Sequence, residues 1–126
     1  MPKAISLIRK KDKDAIIIIL SDHGGWVGIE NMTELFTTKD PDLVQSTFAN
    51  LAAIDWGSID PGKYDHLLKS NVNIFRVLFS CLSKNKSYLD HMEEDASYNI
   101  RHGNFGSSIY RLINDSGKIV YEKHTK

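Results

Sequence analysis

The sequence predicts an α/β fold organised around a strand that is buried on both faces and belongs to a parallel sheet. Three observations predict it. Four consecutive isoleucines follow Ala15 and end in Leu20, and a β-branched run without polar alternation fits a strand covered on both sides. Over 72–82, the residues Ile74, Phe75, Leu78, Phe79 and Leu82 recur at helical spacing, which predicts a helix with one apolar stripe. Near the end of the chain, Ile109 to Ile113 and Lys118 to Glu122 flank Asn114-Asp115-Ser116-Gly117. That tetrapeptide predicts a C-terminal β-hairpin over 108–123 with Gly117 at positive φ.

The remaining elements follow in order. Residues 3–11 read as a short amphipathic helix with Ile5 and Ile8 on one face. Arg9, Lys10 and Lys11 sit near its end, where cations suit the helix dipole. No capping residue precedes it, so it reads as an element cut in half. Asp40-Pro41-Asp42 marks a turn or helix start before Leu43 and Val44, and Asn50 to Ile54 reads as a second strand. Gly57 to Gly62 is a loop. Ser70 or Asn71 is the expected cap of the helix over 72–82, and Lys84-Asn85-Lys86 ends it. Residues 87–106 are polar, with Tyr88, Leu89 and Tyr98 as expected anchors.

Composition narrows the function classes. With 126 residues, 41% hydrophobic and 25% charged, the chain has the make-up of one globular domain. Lys and Arg total 16, as do Asp and Glu, so there is no general attraction to nucleic acid or anionic membrane. Arg9, Lys10, Lys11 and Lys13 are interrupted by Asp12 and Asp14 and read as a solvated helix end. The single cysteine, Cys81, excludes an intrachain disulfide. The isoleucine run is far shorter than the ~20 apolar residues of a membrane span, and it lacks the flanks of a secretion signal. Localisation stays open.

The most informative residues are Asp22 and His23, which follow the isoleucine run. In open α/β sheets, sites lie beyond the carboxyl ends of strands. A carboxylate and an imidazole side by side can reach one divalent ion, and that pairing suits zinc or manganese better than calcium or magnesium. Gly24 and Gly25 let the backbone turn sharply and a ligand approach. A polar turn that merely ends the strand is the competing explanation. Gly24-Gly25-Trp26-Val27-Gly28 is no phosphate-binding loop, because it lacks the Lys-Ser/Thr ending.

The stretch from Asp14 to Gly24, an apolar run closed by Ser21-Asp22-His23-Gly24, resembles the late metal-binding strand of the alkaline phosphatase/sulfatase superfamily. Phe48 to Ile54 looks like the next strand of the sulfatase-like, membrane-anchored enzymes. Asn71 to Phe79 is similar to their Val-Asn-x-Phe-Arg helix. Leu89-Asp90 and Ser97-Tyr98 resemble the acidic, aromatic stretch that follows. These matches run in order from about Ile5 to Tyr98.

The resemblance implies that the chain is the C-terminal part of one alkaline-phosphatase-like domain. Asp22 and His23 match the paired metal ligands. The parent activity would be hydrolysis or transfer of a sulfate or phosphate ester, with attack by a metal-activated Ser, Thr or formylglycine. The family's nucleophile and first acidic ligand lie in an N-terminal half that this sequence does not contain, as does any membrane anchor. Thr33, Thr37 and Thr38 match no nucleophile motif, and Gly25 to Gly28 depart from the family's continuation. His66, His91, His102 and His124 match no ligand position and read as surface histidines. With two ligands, where a catalytic zinc usually has three from protein, the chain alone is expected to be inactive.

Two other classes compete. His23-Gly24 after a strand, with Cys81 downstream, superficially resembles a caspase-like cysteine peptidase, in which each of the two follows a strand. Cys81 lies near an apolar helix stripe, where cysteine usually serves as a small hydrophobe. Alternatively, the chain is a non-catalytic interaction module or remnant. The hairpin edge and Trp56, Tyr110 and Tyr121 would then serve as contacts, although single aromatics more often pack a core or an edge. Trp26 reads either as the lip of a substrate mouth or as a cover on the core.

Overall fold

The structure, a computed structural model, describes residues 2–103 and 106–125. It is mixed α/β with two small antiparallel sheets. In chain order the elements are α1 (Pro2–Lys11), β1 (Ile17–Leu20), α2 (Met32–Thr37), α3 (Pro41–Phe48), β2 (Ala52–Asp55), α4 (Ile74–Ser83), β3 (Ser97–Gly103), β4 (Gly106–Ile113) and β5 (Ile119–Lys123). Turns of 3-10 helix occupy Gly62–Leu67, Asn71–Asn73 and Lys86–His91. The chain divides into two compact units, Met1–Leu20 with Leu51–Met92, and Ser21–Asn50 with Glu93–Lys126.

In the first unit, β1 pairs antiparallel with β2, with Ile17 opposite Asp55 and Leu20 opposite Ala52. The parallel strand expected from the isoleucine run is therefore corrected. Unbroken aliphatic composition reports burial, whereas direction is decided by the partner strand. The burial is also less complete than expected. Ile17 is buried, Ile18 and Ile19 are half-buried, and Leu20 is exposed.

Helix α1 forms with its basic last turn as expected. Its Ile8 is exposed, however, and Arg9 is the anchor. The Arg9 guanidinium lies 2.5 Å from the Asp55 carboxylate at the end of β2. It also donates to the carbonyls of Ala15 (2.6 Å) and Lys13 (2.8 Å). Gly57, at φ +66°, passes so close to the Asp14 carbonyl that a Cβ there would sit 2.5 Å from its oxygen.

Helix α4 carries most of this unit's core. Ile74, Val77 and Leu78 are buried. Phe75, Phe79 and Leu82, placed on the predicted stripe, are exposed, so the buried face is narrower than the apolar composition. Ser80 is buried on that inner side, and its hydroxyl donates to the Asn85 carbonyl at 2.9 Å. Neither Ser70 nor Asn71 caps α4. Its first flanking residue is Asn73, which makes no side-chain cap bond, because the 3-10 turn Asn71–Asn73 feeds directly into the helix. Lys84 ends it in the left-handed conformation, at φ +56°. Trp56 is buried with its indole N–H donating to Asp65 at 3.0 Å.

In the second unit, the Asp40 carboxylate accepts from the N–H groups of Asp42 (2.9 Å) and Leu43 (3.4 Å), and Pro41 opens α3. The helix start expected at 40–42 is therefore present, with a side-chain cap. Asn31 caps α2 in the same way. The predicted hairpin forms between β4 and β5. The Asn114 carboxamide oxygen accepts from the N–H of Ser116 (3.1 Å) and of Lys118 (2.8 Å), and Gly117 takes φ +79°.

Strand β3, read as a polar stretch with anchors, pairs along β4 to make a three-stranded sheet. Tyr88 and Tyr98 are exposed rather than buried anchors. Among the described residues, Val44 of α3 and Leu112 of β4 are this unit's fully buried apolar side chains.

Candidate metal centre

Asp22 and His23 stand in a loop shaped by three backbone constraints. Gly24 is buried, and its N–H donates to the Thr47 carbonyl at 2.8 Å. A Cβ at Gly24 would lie 2.0 Å from the Ser46 carbonyl oxygen, so only glycine permits this approach. Trp26 N–H donates to the same Ser46 carbonyl at 3.4 Å. These carbonyls belong to the last turn of α3, whose C-terminal C=O groups have no partner within the helix. The loop supplies partners for them. It is thereby docked on the negative end of a helix dipole, which favours cations.

The side chains are then placed by local bonds. The Asp22 carboxylate accepts from the His23 backbone N–H at 3.1 Å. The Nδ1 of His23 lies 2.6 Å from the Gly24 carbonyl oxygen. A carbonyl has no proton to give, so Nδ1 donates in this contact; in the neutral imidazole that leaves the lone pair on Nε2. That Nε2 is 3.6 Å from the Asp22 carboxylate. Both side chains are open to solvent, at 89% exposure for Asp22 and 53% for His23.

The donor set fits a divalent cation. A tetrahedral zinc bound by one oxygen and one nitrogen holds them about 3.4 Å apart, close to the spacing between these two atoms. Metal-bound histidines characteristically donate their other ring N–H to a carbonyl or carboxylate, as His23 does to Gly24. The set is small. Among the described residues, no three His, Cys, Asp or Glu side chains gather where they could hold a metal ion. Two side chains would leave most of a cation's coordination sphere to other ligands.

Trp26 is 39% exposed, too open to serve chiefly as a cover on the core. Its indole stacks on the His23 imidazole, with centroids 4.8 Å apart and planes 25° apart. It also holds φ at +53°, a conformation that costs a side-chain-bearing residue about 1–2 kcal/mol.

The remaining candidates stand apart from this site. Cys81 is half-buried within α4 and does not follow a strand, which departs from the peptidase pattern. His66, His91 and His124 are exposed, as expected. The side chain of His102 lies outside the described residues.

Tyr110 and Tyr121, read as possible contacts, flank Arg101, whose guanidinium carbon is 5.5 Å from each ring centroid. Burial, offset in part by the Arg101 charge, pushes the Tyr121 phenol above its ordinary range. This arginine clasp was not legible beforehand, because β3 itself was not.

Among the described residues, no helix is long and apolar enough to cross a membrane. Comparison of the chain with models of protein families, with curated proteins and with solved structures finds no match.

Proposed function

We propose that Asp22 and His23 form a divalent-metal half-site, for zinc or manganese, of a sulfatase-like hydrolase or transferase acting on sulfate or phosphate esters. The nucleophile and the remaining ligands would come from residues that this sequence does not contain. The observation that carries the reading is the placement of the His23 ring: Nδ1 lies 2.6 Å from the Gly24 carbonyl oxygen, and Nε2 lies 3.6 Å from the Asp22 carboxylate. The ordered resemblance from Ile5 to Tyr98 supplies the reaction class.

When bound, the ion would polarise the ester and stabilise charge on the transferred group. The residues of this chain do the positioning. Asp22 presents a carboxylate oxygen and His23 its Nε2 ring nitrogen. Gly24 fixes both to the end of α3. The high exposure of both side chains leaves the face opposite the protein open to substrate.

The test is a thermal melt of the chain with and without zinc or manganese. A ligand that binds only the folded state stabilises it by about 2.7 kcal/mol at one hundred times its dissociation constant. The melting temperature should rise with added metal, and Asp22→Ala should abolish the rise. A rise that persists in Asp22→Ala removes Asp22 from the site.

A further inference from the structure

We infer that Trp26 is the positioning residue of the Asp22-His23 pair: its indole holds the imidazole on the Gly24 carbonyl, so that Nε2 stays beside the Asp22 carboxylate. The inference rests on the metal reading of that pair.

An imidazole with half its surface in water has little to hold it. A hydrogen bond to a neighbouring carbonyl competes with water, and rotation about the side-chain bonds would carry Nε2 away from Asp22. The indole covers one face of the ring at 4.8 Å and is nearly parallel to it. That contact removes the freedom that the single bond to Gly24 leaves.

The backbone points the same way. Residue 26 lies in the left-handed region, at φ +53°, where glycine is the default. The loop instead carries its largest side chain there. Core packing does not explain the choice, because the indole remains 39% exposed. Strain of this kind persists where the surroundings over-determine it, and such positions cluster at functional sites. Groups that orient a metal-bound histidine through its second shell typically change metal affinity 10- to 100-fold when removed.

Two variants separate ring from backbone. Trp26→Gly keeps the left-handed conformation without strain and deletes the indole. Trp26→Phe keeps a ring that can stack. Long-range proton–nitrogen correlation spectra of the metal-free full chain read the His23 tautomer directly. Calorimetric titration with zinc alone reads affinity.

The wild type and Trp26→Phe should show the Nδ1–H tautomer, and their zinc affinities should agree within about twofold. Trp26→Gly should lose that tautomer preference and bind zinc about tenfold more weakly. An unchanged tautomer together with unchanged affinity in Trp26→Gly overturns the positioning role and leaves the metal reading standing. Zinc affinity unchanged in His23→Ala overturns the metal reading, while the metal-free spectra still decide whether Trp26 holds the ring.

Discussion

Arg101 of β3 donates through Nη2 to the Thr38 carbonyl at 2.7 Å, at the C-terminal end of α2. Its Nη1 reaches the Thr37 carbonyl at 3.4 Å, and Tyr110 and Tyr121 flank the guanidinium. A charged group at a helix C-terminus satisfies carbonyls that the helix leaves open and complements its dipole. Charge-assisted hydrogen bonds are worth about 1.5–3 kcal/mol and a cation–π contact about 0.5–1 kcal/mol. Arg101→Ala should therefore lower the stability of this unit by about 2–4 kcal/mol in urea unfolding. Arg101→Lys should recover less than half of the loss, because an ammonium cannot span two carbonyls and stack between two rings.

The docking of the Asp22-His23 loop gives a sharper steric test. At Gly24 an added methyl would meet the backbone carbonyls of Ser46 and Thr47, at 2.0 and 2.8 Å, and neither can swing aside. At Gly25 the nearest atom is a Val27 side-chain methyl at 3.3 Å, which can shift. Gly24→Ala should cost about 1–3 kcal/mol and should also weaken the zinc binding proposed for Asp22 and His23, because the loop must lift from α3. Gly25→Ala should stay within about 0.5 kcal/mol of wild type. Equal losses in the two variants would mean that the contact with α3 does not set the loop.

Helix α4 separates composition from burial. Ile74 is 1% exposed and Phe79 48% exposed, although both lie on the apolar stripe read from spacing. Ile74→Ala should cost about 2–5 kcal/mol, the range for a truncated core aliphatic. Phe79→Ala should cost only about 1 kcal/mol, the value of its ring contacts with Phe75 and Tyr88. Denaturant midpoints of the two variants, measured side by side, check this ordering.

Local chemistry explains what was legible. The hairpin could be placed because Asn114 and Gly117 carry the turn within a few residues. The start of α3 could be placed because Asp40-Pro41 caps and opens it. Asp22 and His23 stood out because they follow the isoleucine run.

Pairing over long sequence distances was not legible. The direction of β1 depends on β2, which lies beyond the whole of α2 and α3. Strand β3 has a polar sequence that becomes a strand through its ladder with β4, so the Arg101 clasp built on it stayed hidden. The stack of Trp26 on His23 depends on a left-handed backbone that an apolar or polar pattern does not report.

The ion pair between Arg9 and Asp55 makes the first unit sensitive to acid. The Asp55 carboxyl is held below its ordinary range, first by its hydrogen bond to the Arg9 guanidinium and then by the Gly57 backbone N–H, which donates to it at 3.1 Å. An unfolded aspartate titrates at about 3.9. Between that value and the lower folded one, the unfolded chain binds the extra proton, so stability rises with pH across the window. The contribution is complete above the unfolded value and is lost as pH falls through the folded one. Asp55→Asn keeps the shape of the side chain and removes the charge. It should destabilise the chain at neutral pH and flatten the decline of stability below about pH 4. Melting temperatures of wild type and variant, compared from neutral pH down to about pH 2, should converge as the carboxyl becomes protonated. A gap that stays constant across that range would mean that the charge on Asp55 is not what α1 and β2 share.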